Sequence, residues 1–128
     1  MAMSDAMARF AKAKASMPAP KKDTDGYNYK YATLGQVRSI VCPALAAHGL
    51  ADLQWMADGL LHTKVVDVGT GEDVVHDMRP TLQQGTDQQR GSSETYQRRY
   101  ALLTVCGLAP EDDDGASASA GYQGGYQQ

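Results

Sequence analysis

The sequence predicts an α+β fold in which a short three-stranded antiparallel sheet and a long C-terminal core helix, together a β-β-β-α core, follow an N-terminal helical region. Two observations support this prediction. Three segments rich in Val and Leu are separated by Asp58-Gly59 and by the Gly-Thr-Gly of residues 69–71, and both separators are typical of hairpin turns. The apolar segment that follows begins after a helix-capping pattern at Thr86 and ends at Gly107.

The composition is that of an ordinary globular protein. The chain has 128 residues, of which 42% are hydrophobic and 21% charged, and its net charge is -3. That length is enough for one domain with a hydrophobic core. No apolar run approaches the roughly 18 residues that indicate a membrane-spanning helix, and residues 1–17 lack the continuous apolar segment of a secretory signal. We therefore expect a cytoplasmic protein without membrane association, in which Cys42 and Cys106 are buried free thiols.

The N-terminal region divides into three parts. Residues 3–15 have apolar side chains at helical spacing and many alanines, which predicts a short amphipathic helix. A linker with two prolines follows over residues 16–26. The tyrosines of residues 27–31 then alternate with polar residues, which is typical of a strand or an extended segment.

The next segment predicts a helix with Thr33 as its N-cap and Gly49 as its stop, which leaves His48 in the last turn. Pro43 conflicts with this helix because it removes a backbone hydrogen bond, and we expect a kink or an interruption near residues 39–42. The apolar stripe of the helix consists of Leu34, Val37, Val41 and Leu45.

The middle of the chain is rich in Val, Leu and Trp and is expected to form the sheet. Strands are expected near residues 50–57, 60–68 and 72–79, with Pro80 closing the last. Trp55 lies in the first of these strands. We expect its side chain in the core or at a subunit interface rather than stacked against a nucleic-acid base.

The last helix is expected to begin at Thr86 and to run to about Cys106. Thr86 followed three positions later by Gln89 is a capping-box pattern, and Gly107 provides the stop. Gly91 lies inside this helix at a cost of up to about 1 kcal/mol relative to alanine. Together with the two serines that follow it, Gly91 suggests that another backbone approaches closely.

Two adjacent arginines, Arg98 and Arg99, lie between Tyr96 and Tyr100 in this helix. An arginine can donate two hydrogen bonds to one phosphate, and a tyrosine ring can stack on an unpaired base. The pattern therefore suits single-stranded nucleic acid. An alternative with an equally sound physical basis is a structural role, in which the arginines pair with the acidic middle or tail of the chain and the tyrosines pack in the core. The Tyr-Asn-Tyr-Lys-Tyr segment of residues 27–31 carries the same two interpretations.

The charges are segregated along the chain. Residues 1–40 carry seven Lys or Arg against three Asp, residues 41–78 carry one Lys against six acidic residues, and residues 79–100 carry four Arg against two acidic residues. Such segregation can create a basic surface on an acidic protein, although a solvated charge pattern without function is an equal alternative. Lys21 and Lys22 belong to the first basic segment.

Two blocks of sequence resemble the ERF family of phage single-strand annealing recombinases. Residues 91–115, GSSETYQRRYALLTVCGLAPEDDDG, are similar to the family's Gly-Ser, Thr-Tyr, Arg-Arg-Tyr-Ala-Leu and acidic Asp-Asp-Gly signature. Residues 30–50, KYATLGQVRSIVCPALAAHGL, are similar to its Lys-Tyr-Ala-x-Leu block and to the helix after it, which ends in His-Gly-Leu. The resemblance covers about residues 5–115. The chain departs from the family at Asn28 and Tyr29, where Lys and Ser are more usual.

The resemblance implies a homo-oligomer, either a ring or a helical filament, that binds single-stranded DNA in a positive groove. Such a protein pairs complementary strands without ATP, through an annealed duplex intermediate, in the cytoplasm of the bacterial host of a phage or prophage. The resemblance implies no catalytic residue, cofactor or metal. Contact with a host single-strand-binding protein stays open, because many members continue into a longer C-terminal region. The DNA-binding positions it implies, with the two lysines of the basic N-terminal segment added, are Arg98, Arg99, Tyr96, Tyr100, Lys30, Tyr31, Lys21 and Lys22.

Three regions are expected. Residues 1–20 form an N-terminal helix and linker, residues 21–110 form the single-strand annealing core domain, and residues 111–128 form a flexible acidic tail rich in Gly, Ser and Gln.

Two alternative functions are open. A metal-dependent nuclease or hydrolase would use oxygen and nitrogen ligands from residues 112–114 and from His48, His62 and His76. The spacing of these histidines matches no ligand pattern, which disfavours this alternative. The second alternative is a structural or interaction ring protein without affinity for DNA.

Overall fold

The computed structural model describes residues 4–22, 24–25 and 30–109, with the backbone alone at residues 24–25 and 30–31. It confirms the α+β fold with a long C-terminal helix. The helices and strands, in chain order, are α1 (Asp5–Ala15), β1 (Thr24–Asp25), β2 (Lys30–Tyr31), α2 (Leu34–Ala47), β3 (Leu50–Ala57), β4 (Leu60–Asp67), β5 (Asp73–Pro80) and α3 (Asp87–Cys106).

The three long strands form an antiparallel sheet in the order β3-β4-β5, and β1 pairs with β2 in a separate antiparallel ribbon. The turn between β3 and β4 has Asp58 at φ 54° and Gly59 at φ 75°. Two successive residues with positive φ make the type of two-residue turn that matches the twist of a hairpin. The hairpin turn predicted at Asp58-Gly59 is therefore confirmed. The strand bounds agree with the predicted ones to within one residue.

One face of the sheet, the inner face, is covered by helices. Along β4, Leu61, Thr63, Val65 and Asp67 are buried and alternate with half-buried residues. Helices α2 and α3 pack against this side, with Leu102, Val41 and Leu45 fully buried. The opposite, outer face carries the alternate residues of the three strands, which by register include Leu53, Trp55, His62, Lys64, Asp73, His76 and Met78.

Helix α1 belongs to the same core. It buries Ala6, Phe10 and Ala13, and its Ser4 N-cap side chain accepts a hydrogen bond from the backbone of residue 7. Arg9 ties it to the rest of the molecule, because Nη1 donates to the carbonyl oxygen of His48 at 2.7 Å and Nη2 lies 3.0 Å from the Asp67 carboxylate. The N-terminal helix is therefore packed against the sheet rather than separate from it.

Helix α2 begins as predicted, with Thr33 and Gln36 forming a complete capping box. The predicted interruption near Pro43 was wrong, because the helix is continuous from Leu34 to Ala47. Pro43 and Ser39 lie on the exposed side, where water can satisfy the carbonyl that loses its partner, while the stripe around Val41 is fully buried and holds the helix together.

Helix α3 also begins and ends as predicted. Thr86 and Gln89 form its capping box, and Gly107 lies in the left-handed region at φ 66°. Beyond Gly107, the N–H of residue 108 donates to the carbonyl of residue 103 at 2.8 Å, which closes a Schellman motif. The expected close approach of a backbone at Gly91 was wrong within the described chain, because a Cβ there would meet nothing within 4 Å. A backbone approaches Ser93 instead, whose hydroxyl accepts a hydrogen bond from residue 82 at 2.9 Å.

The two cysteines differ in environment. Cys106 is buried, as predicted, and burial raises the pKa of its thiol to about 11. Cys42 is only half-buried, which corrects the prediction, because its sulfur lies at the edge of the α2 stripe, 3.4 Å from an Asp52 oxygen. Burial first, and then the Asp52 carboxylate, raises the pKa of the Cys42 thiol. Neither thiol is thereby activated as a nucleophile.

Candidate nucleic-acid interface

Two tyrosines stand on the exposed side of α3. Tyr96 and Tyr100 are separated by one helical turn, and 48% and 47% of their surfaces are exposed. Their ring centroids are 5.5 Å apart in an edge-to-face arrangement. The alternative that these rings pack in the core is therefore wrong, and both present an aromatic surface to solvent.

Arg99 joins this pair to the segment before α2. The central carbon of its guanidinium lies 5.2 Å from the centroid of the Tyr96 ring, within cation–π range. Its Nη1 donates a hydrogen bond to the carbonyl oxygen of Ala32 at 3.3 Å. Ala32 directly follows Lys30 and Tyr31 in the sequence. The two blocks that resemble the ERF family, residues 30–50 and 91–115, therefore meet in space at Arg99.

Arg79 completes the arrangement from the sheet. Its guanidinium carbon lies 5.2 Å from the centroid of the Tyr100 ring, and its Nε lies 3.1 Å from the carboxylate of Asp77. Four side chains thus form a continuous row in the order Arg99, Tyr96, Tyr100, Arg79, which we call the arginine–tyrosine ladder. Two aromatic rings between two cations form a surface that can both stack on bases and bind phosphate.

Sequence reasoning did not select Arg79 as a site residue. The alternation of side chains along the predicted strand 72–79 could have indicated it, because Asp77 and Arg79 lie on one face of that strand. The predicted helix after the strand must then pack over the same face. The contact with Tyr100 depends on where α3 lies across the strands, and that position is set by tertiary packing.

Arg98 lies differently from Arg99. It forms an ion pair with Glu94, one turn earlier on the same helix, with a shortest distance of 2.6 Å, and 26% of its side chain is exposed. Its backbone carbonyl accepts a hydrogen bond from Gln54 of β3 at 3.1 Å. The arginine is therefore paired with an acid, as the structural alternative expected, but the acid belongs to its own helix and not to the middle or the tail of the chain.

The four lysine and tyrosine candidates of the N-terminal half are placed less fully. Lys30 and Tyr31 form β2, and their backbone leads directly to the residue that accepts from Arg99. Lys21 is exposed and Lys22 is half-buried. Residues 26–29, which include Asn28 and Tyr29, and the whole of the predicted tail lie outside the described residues.

A second aromatic group, missed by sequence reasoning, lies on the outer face. Nδ1 of His62 and Nε2 of His76 are 2.9 Å apart, so one imidazole donates to the other. Trp55 stacks on both rings, with centroid distances of 4.9 Å to His62 and 5.8 Å to His76. Trp55 is half-buried on the sheet surface, which excludes the core position, while the expected subunit interface stays a prediction. The predicted strand register could have revealed this proximity, because both histidines point outward on neighbouring strands.

The histidines do not form a metal centre with other described side chains. His48 lies apart from the pair, and its Nδ1 is 2.9 Å from the carbonyl oxygen of Ala44. Across residues 4–22, 24–25 and 30–109, no three His, Cys, Asp or Glu side chains converge to hold a metal ion. Residues 112–114, the acidic part of the nuclease alternative, lie outside these ranges.

Three carboxylates on the inner face are each paired with an arginine. Arg38 lies 2.9 Å from Asp52, Arg9 lies 3.0 Å from Asp67, and Arg79 pairs with Asp77. The Thr70 hydroxyl, the backbone N–H of residue 69 and the Arg9 guanidinium lower the pKa of Asp67, although its burial acts in the opposite direction. The acidic charge of the middle segment is thus neutralised where it faces the helices.

No helix in the described part of the chain is long and apolar enough to cross a membrane. No curated protein and no solved structure shows significant similarity to the chain. The model of the ERF superfamily, in contrast, matches residues 6–127, which is nearly the full length. The chain therefore belongs to the ERF superfamily of phage single-strand annealing proteins.

Proposed function

We propose that the protein binds single-stranded DNA and anneals complementary strands without ATP, as a homo-oligomeric ring or filament, during phage homologous recombination. Membership of the ERF superfamily implies a role in recombination by single-strand annealing. The observation that carries the finer proposal is the arginine–tyrosine ladder on α3 and β5, whose two tyrosine rings are exposed.

The ladder suits a single strand chemically. The exposed faces of Tyr96 and Tyr100 stack on bases of any sequence, because every base has an aromatic face. Arg79 and Arg99, held beside these rings, donate hydrogen bonds to the phosphates that follow each base. Binding is therefore independent of sequence and weakens as salt is added.

The remaining candidates have supporting roles in this proposal. Lys30 and Tyr31, which directly precede Ala32 in the sequence, and the basic Lys21 and Lys22 are further candidates for contact with the strand. Arg98 is not part of the ladder, and it forms an ion pair with Glu94 at 2.6 Å. A phosphate must compete with that carboxylate.

Oligomerisation supplies the affinity that annealing requires. One ladder covers only a few nucleotides, and weak sites repeated around a ring or along a filament hold one strand with high avidity. Because the contacts are made by stacking and by phosphate binding, the pairing edges of the bases stay open to a second strand. No ATP or metal takes part in these contacts.

Fluorescence anisotropy of a labelled oligo(dT) tests the binding step. We expect binding without ATP or divalent metal, with log K falling linearly as log salt rises. Arg79→Gln and Arg99→Lys are compared with Arg90→Gln, a matched control on the exposed first turn of α3, where Arg90 pairs with Asp87. We expect the two ladder variants to weaken binding by roughly tenfold and the control to leave it unchanged. Absence of binding by the native protein would overturn the proposal.

A further inference from the structure

The outer face of the sheet has an aromatic cluster at its centre that no described residue covers. Trp55 stacks on His62 at an interplanar angle of 12° and on His76 at 26°, and Lys64 Nζ lies 5.7 Å from the Trp55 ring centroid. The indole therefore lies nearly parallel to two imidazole rings, which are hydrogen-bonded to each other. Its orientation is fixed before any ligand arrives.

The ladder and this cluster lie on opposite sides of the sheet. Arg79 faces inward, because its register partner Leu61 is fully buried. Trp55 faces outward, because its register partner is His62, which alternates with the buried Leu61 and Thr63 along β4. A DNA strand bound at the ladder therefore lies across the sheet from the cluster of the same subunit, and it would have to pass around an edge of the sheet to contact both.

The outer face of the sheet carries fewer acidic residues than the inner face. Asp52, Asp67 and Asp77 all point to the helix side. Among the residues of β3, β4 and β5, the acidic residue that points outward is Asp73, and its carboxylate lies 2.8 Å from Lys64 Nζ. Within these three strands, no other carboxylate faces outward to repel a phosphate.

The chemistry of the cluster favours nucleic acid over a second copy of the chain. Exposed apolar residues are present on this face, since Leu53 is 48% exposed and Met78 is 55% exposed. However, the centre of a stable protein–protein interface is depleted of charged residues. Here the central indole is flanked by Lys64, which also pairs with Asp73, and by two imidazoles whose ring nitrogens can bind base edges.

We propose that the Trp55–His62–His76 cluster is a second contact for single-stranded DNA, which stacks bases on the outer face of the sheet, separate from the ladder. This inference rests on the proposed function, because it assumes that the protein binds single strands. A subunit with two such surfaces can hold a strand on each side of its sheet, or pass one strand from the outer face of one subunit to the ladder of the next.

The single tryptophan of the chain makes the test direct. Indole fluorescence reports on Trp55 alone, while the anisotropy of a dye on the oligonucleotide reports on binding anywhere. The full-length protein is titrated with dye-labelled oligo(dT) and, separately, with an abasic deoxyribose-phosphate strand of equal length. We expect oligo(dT) to quench the indole in step with the anisotropy, and the abasic strand to leave the indole unchanged.

Variants of Trp55 test whether base stacking on its ring contributes to the binding of oligo(dT). Trp55→Leu should weaken oligo(dT) binding by roughly tenfold, and Trp55→Phe should restore part of that loss because it keeps an aromatic face. Leu53→Ala is the matched control on the same face of the same strand and should bind normally. The oligomeric mass of each variant is measured by sedimentation.

Each outcome has one meaning. Anisotropy that rises without a change in indole fluorescence, or equal quenching by the abasic strand, overturns the second contact while the proposed function stands. A fall in oligomeric mass for both Trp55→Leu and Leu53→Ala assigns the face to a neighbouring subunit and also overturns it. Absence of any anisotropy change with the native protein removes the proposed function and this inference together.

Discussion

Arg99 donates a hydrogen bond to the carbonyl oxygen of Ala32 across 67 positions of sequence, at 3.3 Å, and its guanidinium also lies over the Tyr96 ring. One side chain therefore links the long helix to the segment that carries Lys30 and Tyr31. The contact gives Arg99 a structural role beside its proposed role in binding, so the folding of every Arg99 variant must be measured together with its affinity for DNA.

The exposed tyrosines offer a cleaner test of the ladder. Tyr100→Ala should lower affinity for oligo(dT) by about 1–3 kcal/mol, because it removes one stacking surface. The same change should cost little stability, since Tyr100 is 47% exposed. Anisotropy and thermal unfolding of the same preparation check both expectations. Thr104→Ala, one turn further along the exposed side of α3, is the control; equal losses in the two variants would count against the ladder.

The N-terminal helix is expected to be essential to folding. Phe10 is 3% exposed in the shared core, and Phe10→Ala should reduce the free energy of unfolding by about 3–5 kcal/mol. Urea denaturation followed by circular dichroism measures the loss. Met7→Ala in the same helix is the control, because Met7 is 38% exposed and should cost far less. A small effect at Phe10 would mean that α1 is not integral to the core.

Asp67 is expected to make stability depend on pH in the acid range. The Thr70 hydroxyl, the N–H of Gly69 and the Arg9 guanidinium lower the pKa of this carboxyl in the folded state. The carboxylate therefore stabilises the fold at every pH above its unfolded-state pKa, and that contribution is lost as the pH falls through the folded-state pKa. Asp67→Asn should be less stable than the native protein near neutral pH, and the difference should shrink towards about pH 3. Urea denaturation at several pH values measures this, and a difference independent of pH would contradict the assignment.

Gly91 is expected to tolerate a side chain. A Cβ there meets nothing within 4 Å, so Gly91→Ala should raise the free energy of unfolding by about 0.5–1 kcal/mol through improved helix propensity. Gly107→Ala is the opposite case, because φ 66° is unfavourable for a residue with a Cβ. Thermal unfolding of both variants gives the comparison. Destabilisation by Gly91→Ala would show that a neighbour lies against this face.

Local signals in the sequence predicted most of the fold. The Asp58-Gly59 turn and the capping residues Thr33, Thr86 and Gly107 act within a few residues of chain, so their effect can be read from the sequence. The interruption predicted at Pro43 was wrong because the cost of the missing hydrogen bond depends on whether the freed carbonyl faces water. That orientation depends on how α2 packs.

The candidate site was predictable only in part. Tyr96 and Tyr100 share a helix face by spacing alone, so their proximity followed from the helix. Arg79 over Tyr100, and His62 beside His76, arise from the packing of α3 across the sheet and from strand register. These contacts join residues distant in sequence, and composition or motif spacing does not encode them.

Annealing of two complementary fluorescent oligonucleotides, without ATP or divalent metal, tests the central claim most directly. The native protein is compared with Arg79→Ala and with Arg98→Ala, each verified as folded and of native oligomeric mass. We predict rapid annealing by the native protein, a loss of roughly tenfold in rate for Arg79→Ala, whose guanidinium lies against the Tyr100 ring, and a smaller loss for Arg98→Ala, which pairs with Glu94 and is not part of the ladder. Full annealing by a folded Arg79→Ala protein would contradict the assignment of the arginine–tyrosine ladder as the DNA-binding surface.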